Sequence, residues 1–200
     1  LIALQYDEVK VKITFDAALE TTGNHTKVFA DYIYLDTDER RRFAQVSHEY
    51  LIEQVQHMKS DAESNIELNF NHPVKELVWT GEWQNDVGTG GGLNTVLTAA
   101  NTYLLKLNGH ERFSARDRLY FTRAQIWQHH TGYGGVTVKD STAVYSFALK
   151  PEEHQPSGTC NFSRIDNAIL VQGVGSAQVL EIYAVNYNVL RIMSGMGGLA

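Results

Sequence analysis

The chain has 200 residues, 43% of them hydrophobic and 20% charged, with a net charge of −6 and one cysteine. That length supports one domain with a core that needs neither disulfides nor metals. The acidity offers no support for nucleic-acid binding, one cysteine excludes an intrachain disulfide, and no run approaches the ~18 apolar residues of a membrane span.

The start, Leu1-Ile2-Ala3-Leu4, lacks the basic and apolar regions of a signal peptide, and without an initiator Met the chain reads as a processed chain or an internal fragment. Ile2, Leu4 and Tyr6 occupy even positions, whereas Val9, Val11, Ile13 and Phe15 occupy odd ones. One strand cannot keep a single face buried through that slip, so a β-bulge is expected near Asp7-Glu8. Residues 16–26 are polar, contain Gly23-Asn24 and read as a linker. An apolar run then leads into Asp36-Thr37-Asp38-Glu39-Arg40-Arg41-Arg42. Acids before arginines suit the two ends of the helix dipole, and Asp36–Arg40 and Asp38–Arg42 fall four apart, so a short helix is expected here.

Residues 47–58 fit either helix or strand. Ile66, Leu68 and Phe70 alternate with polar residues, Tyr145, Phe147 and Leu149 alternate with Ser146 and Ala148, and Tyr103, Leu105 and Leu107 share one face. Asn108-Gly109 is a strong hairpin signal. Ser114-Ala115-Arg116-Asp117 can open a second short helix. Residues 178–193 form a long run apolar on both faces, which predicts a strand covered on both sides. Gln5-Tyr6 leading to Val9-Lys10-Val11 has a loose echo in Asn186-Tyr187 leading to Val189-Leu190-Arg191. From Lys27 onward roughly eight strands with long connections point to a sandwich or jelly roll.

The patterns that carry chemistry are incomplete. Gly88-Thr89-Gly90-Gly91-Gly92 lacks the lysine and hydroxyl of a phosphate loop and reads as a surface loop. Adjacent His129 and His130 do not have ligand spacing for one metal on a strand. Glu152 and Glu153 do not by themselves flank a glycosidic bond. Cys160 with His154 lacks a third orienting group. Asn24 and Asn161 sit in glycosylation sequons. Arg40, Arg41 and Arg42, and the looser set Arg112, Arg116, Arg118 and Arg123, are the local basic exceptions and read as solvated or interface residues.

The stretch Phe29-Ala30-Asp31-Tyr32-Ile33-Tyr34-Leu35-Asp36 through Arg42-Phe43-Ala44 resembles the opening of the second jelly roll in major capsid proteins of nucleocytoplasmic large DNA viruses. His48-Glu49-Tyr50-Leu51-Ile52-Glu53-Gln54, Leu107-Asn108-Gly109-His110-Glu111-Arg112-Phe113 and Trp127-Gln128-His129-His130-Thr131 continue the likeness. The long motif from Pro151-Glu152-Glu153-His154 to Ile165-Asp166-Asn167-Ala168 is its most specific part, and Tyr187-Asn188-Val189-Leu190-Arg191-Ile192 with Gly195-Met196-Gly197-Gly198-Leu199-Ala200 is similar to the family's C-terminal end.

The resemblance implies an all-β fold: a jelly-roll β-sandwich, the second roll of a double jelly roll, with short helical insertions. It implies residues 1–15 as the last strand of a first roll, 16–26 as linker, 27–196 as the C-terminal roll and 197–200 as tail. It turns 47–58 toward strand and leaves the loops at 80–94 and 131–142 as sites of lineage variation. The implied function is structural: a homotrimer forming pseudo-hexagonal capsomers of an icosahedral shell, meeting neighbouring capsomers and minor capsid proteins. No enzyme activity, cofactor, metal or direct nucleic-acid contact is expected. The location would be the virion, with assembly in the host cytoplasm. Arg40, Arg41, Arg42, Arg112, Arg116 and Arg118 are candidate inter-subunit contacts. The alternatives are a lectin-like module reading glycans through Trp79, Trp83 or residues 88–92, and a cupin- or glycosidase-type enzyme using His129 or Glu152.

Overall fold

The computed structural model describes residues 2–14, 27–81, 97, 101–132, 140–173 and 177–199. The expected linker with Asn24, Phe15, Trp83 and the glycine loop at 88–92 lie outside the described residues, as do most of the loops 80–94 and 131–142.

Most of the period-two runs become strands: β1 (His48–Lys59), β2 (Asn65–Glu67), β3 (Pro73–Gly81), β4 (Thr102–Leu107), β5 (His110–Glu111), β6 (Arg116–Asp117), β7 (Thr142–Ser146), β8 (Cys160–Asn161), β9 (Ala168–Gly173), β10 (Leu180–Met193) and β11 (Met196–Leu199). The Tyr145-Phe147-Leu149 run is cut short: β7 ends at Ser146, and Leu149 is exposed beyond it. Helical insertions are α1 (Thr37–Gln45), a π-helical turn (Tyr120–Ala124) running into α2 (Gln125–His129), and a 3-10 turn (Phe162–Arg164). One sheet has the order β1-β10-β3-β7, with β11 on β10 and β8 on β3; the other is β2-β9-β4-β5, with β6 on β4. With β6, β8 and β11 set aside, the eight principal strands run 1-8-3-6 and 2-7-4-5. Strands consecutive in the chain thus mostly alternate between sheets, which is jelly-roll topology.

The described chain falls into two compact units, Leu1–Leu51 with Val189–Ala200, and Ile52–Asn188. The second holds the core. Ile66, Leu68 and Phe70 are buried, as are Tyr103 and Leu105 of β4 and Leu180, Ile182 and Ala184 of β10. At its centre Trp79 of β3 meets Tyr103 at 5.3 Å between ring centroids and Phe121 at 5.2 Å. The outer face of β10 is half-buried, with His57 stacked on Tyr183. Asn108 and Gly109 take φ of 49° and 79°, and Leu107 faces His110 in register, the two-residue hairpin their sequence signals.

In the first unit α1 has a reciprocal capping box. The Asp36 carboxylate accepts from the Glu39 amide at 2.8 Å, and the Glu39 carboxylate accepts from the Asp36 amide at 3.3 Å. Asp36 therefore lies outside the helix and is not an i,i+4 partner of Arg40. The ion pair that forms is Arg41–Asp38, three residues apart, at 3.8 Å. Since α1 buries no residue, its cap and dipole carry much of its stability. Replacing Asp36 with alanine is expected to weaken α1 by about 1 kcal/mol, read as roughly fivefold faster amide hydrogen exchange from Arg40 to Phe43. Unchanged exchange there would contradict the capping account.

Three local expectations differ from the structure. Residues 2–14 form no strand, so there is no bulge at Asp7-Glu8. Instead the Tyr6 amide donates to the Gly195 carbonyl and Asp7 accepts from the Gly197 amide. Alternation of side chains cannot supply the ladder partner that a strand requires. A bulge does occur in β3: Val185 pairs Glu76 and Asn186 pairs Val74, leaving Lys75 as the extra residue. Alternation slips there, and Val74, Lys75, Glu76 and Leu77 are all buried. The second helix starts later than expected, because Arg116 and Asp117 pair with Tyr103 and Thr102. Asp117 then accepts from the Leu119 amide as the chain turns helical. Finally, most of the expected tail at 197–200 is ordered: Met196–Leu199 folds back on β10 through a Ser194-Gly195 turn with φ of 53° and 81°.

Candidate assembly surfaces

The first unit presents apolar surface with little cover. Val28, Phe29, Tyr32, Ile33 and Tyr34 are 72–92% exposed, and residues 27–35 have no strand ladder among the described residues. The aromatic and branched residues that favour a strand are present in this segment, but no pairing partner is. Arg40, Arg41 and Arg42 follow within α1, all exposed. Beside them Phe43, His48 and Tyr50 form a stacked ladder, with centroid spacings of 5.3 and 6.0 Å. The His48 ring approaches the Phe43 carbonyl at 2.9 Å, and Arg191 pairs with Glu49 at 2.7 Å.

The second arginine set divides. Arg118 donates to the Leu97 carbonyl at 2.6 Å, and Arg123 grips Asp140 with two 2.8 Å hydrogen bonds. The Arg123 guanidinium holds the Asp140 carboxyl below the usual range. That contribution is present above the ordinary carboxylate pKa and is lost as pH falls through the lowered value. These two side chains fasten the π-helical turn and its neighbours within the fold. Arg116 lies over the Tyr120 ring at 4.2 Å. Arg112 lies beside Tyr145 and Cys160. Arg112 and Arg116 are exposed residues; Arg118 is half-buried.

The residues considered for chemistry are placed in structural roles. Burial pushes the Cys160 thiol up, the wrong direction for a thiolate nucleophile. Glu153 pairs with Lys150 at 3.0 Å, and Glu152 accepts from the Thr131 amide. His129 faces the Leu149 carbonyl, while His130 lies between Glu76 and Glu152 at 3.1 and 3.2 Å. Among the described residues no group of three or more His, Cys, Asp or Glu side chains could hold a metal. Asn161 is half-buried, and its Oδ1 caps the 3-10 turn by accepting from the Ser163 amide. Trp79 is 1% exposed, so its ring is not available to a glycan. Burial also pushes the Tyr103 hydroxyl beneath it up to about 12. An open pocket of about 300 Å³ lies where 67–71 and 162–168 diverge. Its walls contain no nucleophile paired with a base.

Comparisons with known proteins agree with this topology. The family model described as large eukaryotic DNA virus major capsid protein matches residues 39–198. The major capsid protein of Pyramimonas orientalis virus is 50% identical over all of this chain and 56% of its own length. That of Paramecium bursaria Chlorella virus 1 is 39% identical over all of this chain and 62% of its own. The chain thus spans a little over half the length of these relatives. Among solved structures, the quasi-atomic model of the PBCV-1 virus capsid superposes with a TM-score of 0.69 at 38% identity, covering 84% of this chain and 55% of that one. The chain belongs to the major capsid protein family of large eukaryotic DNA viruses.

Proposed function

We propose that this chain is the C-terminal part of a shell-building subunit, a rigid jelly roll whose work is self-association rather than catalysis. Three copies of the full-length protein, each with two rolls, would form one pseudo-hexagonal capsomer of an icosahedral virion, meeting neighbouring capsomers and minor capsid proteins. Residues 1–15 would end the first roll and 16–26 would link it to the second. Assembly would take place in the host cytoplasm. The observation that carries the reading is the exposed aromatic and branched surface at 28–34, which a lone protein in water does not favour. Such a surface suits a building block covered by its own chain and its copies.

The arginines of α1 are the proposed charged part of a copy-to-copy contact, with Arg112 and Arg116 as further candidates. Arg41→Glu in the full-length protein is expected to weaken trimers about tenfold at low salt and less at high salt, by native mass measurement across a concentration series. An unchanged trimer at both salts would remove Arg41 from the contact.

A further inference from the structure

We propose that His130 and His154 form a protonation-dependent seam that fastens the 147–159 loop to the β1-β10-β3-β7 sheet. The His130 ring sits at the end of α2 with a carboxylate at each nitrogen: Glu76 of β3 on Nε2 at 3.1 Å, and Glu152 of the loop on Nδ1 at 3.2 Å. The Glu76 Oε2 and His130 Nε2 atoms are buried and have no hydrogen-bond partner among the described residues, so this ion-pair contact is what each has. A neutral imidazole carries one N–H, so it can favour one of these carboxylates and turns a lone pair toward the other. Only the imidazolium attracts both.

The second imidazole is more exposed and meets one carboxylate. His154, on the same loop, lies 3.6 Å from Glu53 of β1, and Glu53 also pairs with Lys75 at 2.8 Å. Tyr187 of β10 places its ring 5.5 Å from the Lys75 ammonium. The neighbouring His129 faces the Leu149 carbonyl, and Lys150 and Glu153 pair with each other. The seam therefore contains three carboxylates, one ammonium and two imidazoles. Three negative charges are balanced when both imidazoles are protonated, and two are left over when both are neutral.

Histidines change charge between about pH 5 and 8, so the seam is tightest on the acid side of that range and loosens as pH rises. Glu76 runs the same way. Burial pushes its carboxyl up against the lowering effect of His130 and Lys75. Its contribution is present below the ordinary carboxylate pKa and is lost as pH rises through the raised value. Glu152 runs the opposite way. The Thr131 amide holds it down, so its contribution persists into acid and fails only as pH falls through the lowered value. Neither carboxylate reverses the direction that the imidazoles set between pH 6 and 8.

Amide hydrogen exchange, normalised to intrinsic rates, tests the seam in the intact protein. Thr131 and residues 149–157 are expected to be about fivefold better protected at pH 6 than at pH 8. That difference is expected to vanish in His130→Gln with His154→Gln, where neither side chain can change charge. Equal protection of the wild type at both pH values, or a double variant that keeps the difference, would overturn the proposal. If the double variant does not fold, NMR titration of the wild type decides: the Thr131 amide shift must follow the His130 ring through its titration, and independence of the two overturns it.

Discussion

Trp79→Ala will destabilise the sandwich by about 3–5 kcal/mol, the largest loss expected from any single side chain considered. Trp79 is 1% exposed and bridges the two sheets, with Tyr103 of the facing sheet and Phe121 of the π-helical turn against its ring. Truncation removes the transfer free energy of the indole and leaves a cavity lined by rings that strands hold apart. Those strands are fixed by ladders on both sides of β3 and by β9 beside β4, so collapse around the gap is restricted. Trp127 supplies the control. It is 75% exposed, and Trp127→Ala is expected to stay within about 0.5 kcal/mol. Urea unfolding followed by far-UV circular dichroism measures both, and similar losses for the two would contradict the assigned core.

The second large effect belongs to the β3 bulge. Lys75 has a 4% exposed side chain, and Glu53, 33% exposed, holds it at 2.8 Å. Glu53→Gln removes the compensating charge and leaves the ammonium in a nearly water-free site. The cost is expected to be about 2–3 kcal/mol, toward the low end for a buried pair because Glu53 is partly solvated. Lys75→Met removes the charge with the stem retained and is expected to cost about 1 kcal/mol or less. Combined with Lys75→Met, Glu53→Gln should add little, because the charge it leaves behind is gone. A double-mutant cycle in urea gives the coupling directly. Equal costs for the two single changes, with simple addition, would refute the pair as described.

Core strand positions were readable because one face of the chain is buried there, so period two is written into Ile66-Leu68-Phe70 and Tyr103-Leu105. The Asn108-Gly109 turn was readable because its backbone requires positive φ at both residues. Residues 47–58 were ambiguous for a physical reason: β1 is an edge strand whose half-buried face carries Gln54 and Gln56 and whose exposed face carries Leu51 and Val55, so hydrophobicity does not follow its alternation. The resemblance, not the period, resolved it. The Lys75 bulge left the signal that was misapplied at Asp7-Glu8, since Val74 and Leu77 break the even-odd phase. A slip of phase marks a bulge only where a partner strand exists. The α1 capping box was also visible as Asp36 and Glu39, three apart, yet the helical ion-pair pattern drew Asp36 into the wrong role.

The charged seam was not readable at all. His130, Glu76, Glu53 and Glu152 are far apart in the chain, and the packing of α2 and the 147–159 loop on the sheet brings them together. The arginines show the limit from the other side. Arg112, Arg116, Arg118 and Arg123 look alike in sequence, but a carbonyl at Leu97 and a carboxylate at Asp140 engage two of them within the fold. Arg112 and Arg116 stay exposed, and with α1 and the uncovered 28–34 segment they are where the assembly account rests.

Native mass measurement of the full-length protein across a micromolar concentration series tests that account most directly. A dominant species of three copies, with the amides of residues 28–34 protected from hydrogen exchange, is the predicted result. A monomer at every concentration, with those amides freely exchanging, would contradict it.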